Sequence, residues 1–518
     1  MDNLQISTIK VTPHAAKWAA FQSSLARIFT AVCIICAAVL SLYMIVMRFA
    51  CLGNGLQYDE LYSVITASPD LSFPFIWKNM LMQDINLPLF NVLLWGWLRF
   101  VPYTYIWMHL FSALFGAAAV VMAWVLAPKY WSALKKYIFV SLMSCSFILV
   151  AYGHIVRTYS LSIFLSTVFS LLALRFIYGF SQGKEPSGRM WLVFYAVGLL
   201  GAYSHFFCTA EFFISALVIF LYACYYKVGR KWAFWGTAVV FGLWCLWLYH
   251  VLTFTSGLQA TWWFKTPLAK ATFEIVTFLF GPRELFLAIL YGVVLAVVSL
   301  ISTYRANLLK RADFMLPLMQ IVLLLSVVAL ISLRSNLWLD RYFLPAMPAC
   351  ILLFTECLDH LRKRHLILLV LWPLLLIGWV NFYWRLEHLH WSEYTGWQPA
   401  FEALSKREDV DTILVDMEKT GYPREALIRM LQFYIPKDKK LTLIPLSRET
   451  VPLSWESKPK MYILMPLCSQ MHLLETAMAT SSEEDSMPLL FHGDTCIYTA
   501  HSLNDKQVAP VSWKEKLR

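Results

Sequence analysis

The chain has 518 residues, of which 59% are hydrophobic and only 14% charged, whereas a soluble domain carries about 25% charged residues. A single water-facing core cannot hide that much apolar surface, so a bilayer must act as solvent for most of it. The net charge of +11 is scattered in short clusters between apolar runs, the pattern of orientation signals rather than of a nucleic-acid patch.

The first apolar run, Phe29 to Met47, is long enough to span, and no small-residue cleavage site follows it. It reads as an uncleaved first helix rather than a signal peptide. Runs of roughly 20 apolar residues then give eleven expected spans: 29–49, 105–127, 137–152, 159–178, 191–204, 206–226, 232–252, 284–303, 314–333, 342–358 and 366–384. Leu89 to Phe100 is apolar but too short to cross a hydrocarbon core of about 30 Å. It is expected to lie at the outer interface, which suits Trp95 and Trp97.

With a cytosolic N-terminus, every second connection is short and basic. These connections carry Lys129, Lys135 and Lys136; Lys184 and Arg189; Lys227, Arg230 and Lys231; Arg305, Lys310 and Arg311; and Arg362, Lys363 and Arg364. The opposite connections are long, aromatic and poor in cations, so the positive-inside rule places them outside, together with the C-terminus. The expected architecture is a polytopic α-helical domain over 1–385 and a small extracytoplasmic α/β domain over 386–518. In the latter, strands are expected at 412–416, 441–446, 461–467 and 496–500, with amphipathic helices at 424–434 and 470–479. Its two cysteines, Cys468 and Cys496, are a possible disulfide pair in an oxidising compartment. The other cysteines sit mostly in apolar runs, and no C-x-x-C metal pattern occurs.

Four polar clusters fall on the outer side of this scheme. The first outer loop, 50–104, holds Tyr58-Asp59-Glu60 and then Asp84-Ile85-Asn86-Leu87-Pro88. The next outer turns carry His154, Arg157 and Tyr159, and then His205; Asp340-Arg341-Tyr342 enters the tenth span. Each is unremarkable alone, since a His or Arg at a helix end is commonly a capping or snorkelling residue. Together they bring carboxylates, histidines and arginines to one face, a layout suited to a general base opposite an anionic leaving group. Asp59 and Glu60 point in different directions on a helix, which implies separate roles.

In order along 30–355, these residues resemble the polytopic glycosyltransferases of family 39 and their relatives in the GT-C class. Those relatives include the protein O-mannosyltransferases and the lipid A aminoarabinose transferases. The matching stretches are Asp59-Glu60, Asp84-x-Asn86-x-Pro88-Leu89, Ser112-Ala113-Leu114-Phe115-Gly116, Tyr152 to Arg157-x-Tyr159, and Arg341-Tyr342-x-Leu344-Pro345. The resemblance implies inverting transfer of a sugar from a polyprenyl-phosphate donor on the outer face, in a bacterial inner membrane. The acceptor it implies is a lipid, glycan or protein hydroxyl or phosphate. Asp59 matches the family's base and Asp84 a second acid of the site. Arg157 and Arg341 match positions near the donor phosphate, where a guanidinium fork suits phosphate oxygens.

Tyr58, Glu60, Asn86, His109, His154, Tyr159 and His205 are further candidates for substrate contact. Lys265 and Lys270, beside Trp262 and Trp263, are looser phosphate candidates or interface anchors. The chain departs from the family pattern at His109, where many relatives have arginine, and at Ile155, where an acid is common. A divalent cation is possible, through Asp59, Asp84 and His154, although no ligand spacing demands one. Two other classes compete with the enzyme reading: a polyprenyl-lipid transporter or flippase, and an inactive scaffold of the same fold. Transporters tend to show internal repeats and charged, broken helices at the midplane; here no repeat is visible and the polar residues gather at one face.

Overall fold

The structure is a computed structural model that describes residues 13–50, 52–53, 55–56, 58–84, 86–255, 294, 297–298, 301, 311–332, 340–359, 429, 432–433, 435 and five strands beyond them. Its helices are α1 (Pro13–Met47), α2 (Tyr58–Thr66), α3 (Phe73–Asn79), α4 (Leu89–Leu98), α5 (Tyr105–Val125), α6 (Ala133–Cys145) and α7 (Phe147–Ala151). Then follow α8 (Tyr159–Ser181), α9 (Gly188–Ala202), α10 (Phe206–Tyr226), α11 (Arg230–Thr255), α12 (Ala312–Ser332) and α13 (Met347–Asp359). Among the described residues six helical stretches are long and apolar enough to cross a membrane: α5, α8, α10, Arg230–Thr253, α12 and Arg341–Asp359. The protein is therefore a multi-pass membrane protein.

Several sequence expectations change here. The span expected at 137–152 is broken, because Ser146 adopts an extended conformation between α6 and α7. The break leaves backbone carbonyls without helical partners, and Arg48, just past α1, supplies donors. Its Nη1 donates to the carbonyl of Ser144 at 3.0 Å and its Nη2 to that of Met143 at 2.9 Å, with Met44 O as a third acceptor. The span expected at 342–358 starts instead with a 3₁₀ turn, Asp340–Ala346, which contains Pro345 and precedes the 13-residue α13. Proline has no N–H to donate to an α-helical bond. The stretch 89–100 is the short helix α4, whose Phe90, Asn91, Leu94 and Leu98 are buried. Trp95 and Trp97 donate their indole hydrogens to the carbonyls of Leu71 and Trp107. Of the expected spans, 366–384 lies outside the described residues and 284–303 largely so.

Helix α8 is the axis of the bundle. It is buried on nearly all sides and packs against α5, α9 and α10. By contrast α11 exposes Trp232, Trp235, Val239, Leu246 and Leu252, as suits a surface whose solvent is hydrocarbon. Local signals set the helix ends. Ser132 Oγ accepts from Lys135 N at the start of α6, and α10 closes on Lys227 in the left-handed region, φ 58°. Gly116 explains one stretch of the sequence pattern: a Cβ there would lie 3.0 Å from the carbonyl oxygen of Gly153. Absence of that Cβ lets the turn after α7 settle onto α5.

Lys135 needs correcting too. It is not a solvated orientation charge but is buried in α6, paired with Asp313 of α12 and Glu356 of α13. Tyr130 and Trp131 also donate to Asp313, and Arg311 Nε lies 3.3 Å from Glu356.

Further along lie β1 (Thr412–Asp416), β2 (Thr442–Leu446), β3 (Met461–Pro466), β4 (Leu490–His492) and β5 (Thr495–Thr499). They form one sheet in the order β2-β1-β3-β5-β4. The first three are parallel, and β5 runs antiparallel to β3 and β4. The three-residue β4 escaped the sequence reading because it is too short to show a period. The helix expected at 470–479 and Cys468 lie outside the described residues, as does most of 424–434.

A candidate active site at the acidic-loop end

Helix α2 positions both carboxylates of the first acidic pair. Consecutive helical residues are about 100° apart, and the two side chains part accordingly. Asp59 is 19% exposed and its Oδ2 lies 3.2 Å from Arg341 Nη1, itself 30% exposed. Glu60 is buried, and its Oε1 accepts from the backbone N–H of Val156 at 2.7 Å.

Arg157 joins the same cluster from the turn between α7 and α8. Its Nη1 donates to the carbonyl of Asp59 at 3.3 Å and to Ser63 Oγ at 3.1 Å. Thr158 Oγ1, the next residue, donates to the carbonyl of Ser204 at 2.8 Å. The turns 152–158 and 203–205, helix α2 and the 3₁₀ turn at Arg341 thus meet at one end of the bundle. Tyr159 lies 5.4 Å from Tyr152 between ring centres and 6.2 Å from His205, which in turn is 5.6 Å from Tyr342. These rings form an aromatic wall beside the Asp59–Arg341 pair.

Asp84 is half-buried in the loop before α4. Its Oδ1 accepts from both the backbone N–H of Asn86, at 3.0 Å, and the Asn86 side-chain amide, at 2.9 Å, a turn built by the aspartate itself. Burial pushes its carboxyl above the usual range, while the Asn86 bonds, Arg157 and Tyr62 pull it back. Burial, then the neighbouring Asp84, raises the Tyr62 hydroxyl as well. Asn86 is exposed and holds the loop shape.

The histidines divide differently from the sequence expectation. His109 and His154 are both buried, so neither lines open solvent. His109 Nδ1 lies 2.9 Å from the carbonyl of His154, which can only accept, so Nδ1 carries the hydrogen. His205 caps α10, its Nδ1 accepting from Phe207 N at 3.2 Å. Burial, then the charge of His109, pushes His154 down to about 3; burial, then Arg157, does the same for His205. Both rings are neutral at physiological pH. Among the described residues no three His, Cys, Asp or Glu side chains converge as a metal ligand set, so Asp59, Asp84 and His154 do not meet in that way. Tyr58 opens α2, but its side chain lies outside the described residues, as does Lys265.

Sequence reasoning missed Arg48 and Ser63. Arg48 stands at the end of a span, where a cation commonly snorkels, and the broken helix that engages it carries no Pro or Gly at Ser146 to announce the break. Ser63 had a signal, its spacing of four from Asp59 on one helix face.

No protein-family model matches the sequence, and no curated protein matches it either. The fold does match a solved structure, the crystal structure of ArnT from Cupriavidus metallidurans in the apo state, with a TM-score of 0.56. The identity is 11%, and the match covers 91% of this chain and 99% of that one. The likeness spans nearly the whole of both chains and establishes the fold.

Proposed function

We propose that the protein is a membrane glycosyltransferase that moves a sugar from a polyprenyl-phosphate donor to an acceptor on the extracytoplasmic face. The observation that carries this reading is the partly exposed Asp59, whose carboxylate pairs with Arg341 and whose main-chain carbonyl accepts from Arg157, on the fold it shares with ArnT. Without substrate the carboxylate and the Arg341 guanidinium lie 3.2 Å apart. A donor phosphate would compete for the guanidinium, whose planar fork matches phosphate oxygens. The carboxylate would then be released to serve as a base.

The chemistry follows from those two groups. An acceptor hydroxyl gives its proton to Asp59 while its oxygen attacks the anomeric carbon. The bond from that carbon to the phosphate oxygen breaks with inversion, and the electron pair leaves on the polyprenyl phosphate. That leaving group needs charge neutralisation more than protonation, which Arg341 and Arg157 supply. Asp84, fixed by Asn86 and Tyr62, shapes the loop beneath and keeps a second carboxyl near Arg157. The side on which this end lies rests on the Lys and Arg bias of the opposite connections; the acceptor is a lipid, glycan or protein.

The test is sugar transfer by purified protein in liposomes, over a panel of polyprenyl-phosphate sugars, with Asp59→Asn beside the native chain. Turnover that disappears in the variant supports the reading and identifies the donor. If the lipid crosses the bilayer or merely binds, with no sugar moved, the reading is wrong and a transporter or scaffold takes its place.

A further inference from the structure

Glu60 follows the proposed base, yet it is buried and turns towards His109 and Val156 rather than Arg341. Its Oε1 takes the Val156 N–H at 2.7 Å and lies 3.6 Å from His109 Nδ1. That same nitrogen donates to the carbonyl of His154 at 2.9 Å. The backbone is therefore gripped on both sides of Ile155, by its preceding carbonyl and its following amide. Arg157 comes one residue after the gripped amide and reaches back to the Asp59 carbonyl and Ser63 Oγ. Thr158 pins the far end to Ser204.

We infer that Glu60 and His109 are positioning residues, a brace that fixes the 154–158 turn so that Arg157 stands beside Asp59. This rests on the transferase reading for its catalytic consequence, but not for its geometry. The brace works through hydrogen-bond acceptance by Glu60, not through contact with substrate. It gives a structural meaning to His109 at a position where the resemblance leads one to expect arginine: the imidazole reaches the turn's carbonyl while standing next to the carboxylate. Asp59 and Glu60 then divide the work of one dipeptide, the first pairing with Arg341 and the second setting Arg157 beside it. A shift of about 1 Å in a positioning group can cost on the order of 10²-fold in rate, so the brace matters without touching the reactants.

The experiment has two readouts in the full-length protein. Glu60→Gln keeps an acceptor for Val156 N–H, whereas Glu60→Met keeps the size and removes the acceptor. In transfer assays Glu60→Gln retains activity to within about fivefold, and Glu60→Met loses about 10²-fold. In an Arg157→Ala background the Glu60→Met loss shrinks below about threefold, because the brace acts through Arg157. Amide hydrogen exchange over 152–159 rises in Glu60→Met and stays low in Glu60→Gln. His109→Phe, which cuts the other half of the brace, serves if Glu60→Met does not fold.

A Glu60→Gln variant as inactive as Glu60→Met, with its amides still protected, would show that Glu60 acts by its charge and would overturn the brace. Additive losses for Glu60 and Arg157 overturn it equally. If the native chain moves no sugar, the transferase reading falls by itself and hydrogen exchange decides. Loss of protection in Glu60→Met then upholds the brace, and retained protection removes it.

Discussion

The two ends of the bundle both concentrate charge, and they treat it in opposite ways. At one end Lys135, Asp313 and Glu356 are buried and joined to Tyr130, Trp131 and the half-exposed Arg311, so the buried carboxylates are neutralised within one network. At the other, Asp59 and Arg341 remain 19% and 30% exposed and share one contact of 3.2 Å. A buried network that satisfies its own members ties α6, α12 and α13 together and has little capacity left for a ligand. A half-exposed pair keeps lone pairs and N–H groups within reach of a newcomer. Accessibility of the carboxylate, more than charge itself, separates the proposed reactive end from the structural one.

The sharpest way to break this comparison is at Asp59. Asp59→Asn keeps the size of the side chain and removes the base, so transfer should fall by about 10²- to 10⁴-fold. The unfolding midpoint in detergent should stay close to that of the native chain, because a solvent-accessible ion pair with a single contact contributes only about 1 kcal/mol. Activity that survives the change would place the chemistry elsewhere.

The reverse pattern is expected at Lys135. Lys135→Met removes the cation that two buried carboxylates share and should destabilise the protein by about 3–5 kcal/mol. Monodispersity on heating reads this directly. Removing the partners as well, with Asp313→Leu and Glu356→Leu, should recover most of the loss, since an apolar replacement of a whole buried network is commonly neutral. A triple variant no better than the single one would mean that the network is needed for more than its own neutralisation.

Arg341→Lys probes the reactive end more gently. The charge stays, but the fork that can hold two phosphate oxygens is lost. The KM for the donor should rise by about tenfold, in line with one lost charge-assisted bond, with a smaller change in kcat. Equal losses in kcat and kcat/KM would instead make the contact one of the transition state.

Acid separates the ends in another way. His154 and His205 have folded values of about 3, against 6.5 when free. Between those values the unfolded chain binds more protons, so their contribution is full above about pH 6.5 and is lost as pH falls towards 3. Asp84, whose folded value is raised, acts in the opposite sense above its ordinary value of 3.8. His205→Asn, which retains a side-chain acceptor for the α10 cap, should flatten the acid limb of unfolding midpoint against pH. An unchanged limb would mean that His205 is not buried neutral.

Much of this architecture was legible in the sequence because the bilayer imposes it. Long apolar runs must be helical, and α5, α8, α10, α11 and α12 stand close to where hydropathy placed them. The convergence of Arg157 and Arg341 on Asp59 followed from one-sidedness alone. What stayed hidden was contact chemistry. Nothing local in Ser144-Cys145-Ser146 announces a helix break whose carbonyls are met by Arg48, about a hundred residues earlier. Lys135 looked like its solvated neighbours because its partners lie on α12 and α13, far along the chain. His154 and His205 looked like substrate contacts because exposure cannot be read from a turn.

The smallest effect expected is also the most direct challenge to the division between the two ends. Glu211 lies on α10 between them, 1% exposed, and neither carboxyl oxygen has a partner among the described residues. It belongs neither to the closed network nor to the open pair. One turn further along α10, Ser215 Oγ accepts from Gln320 of α12, which also donates to Ser170 of α8. A carboxyl isolated in hydrocarbon is costly, so an isosteric amide should be tolerated there. Glu211→Gln should change stability by about 1 kcal/mol or less and leave transfer within about twofold, a difference of roughly 0.4 kcal/mol. A large loss of transfer with an unchanged unfolding midpoint would move the boundary of the reactive end inward, along α10 towards the Gln320 bonds. A large loss of stability would instead join Glu211 to the structural charges, and accessibility would no longer be what tells the two kinds apart.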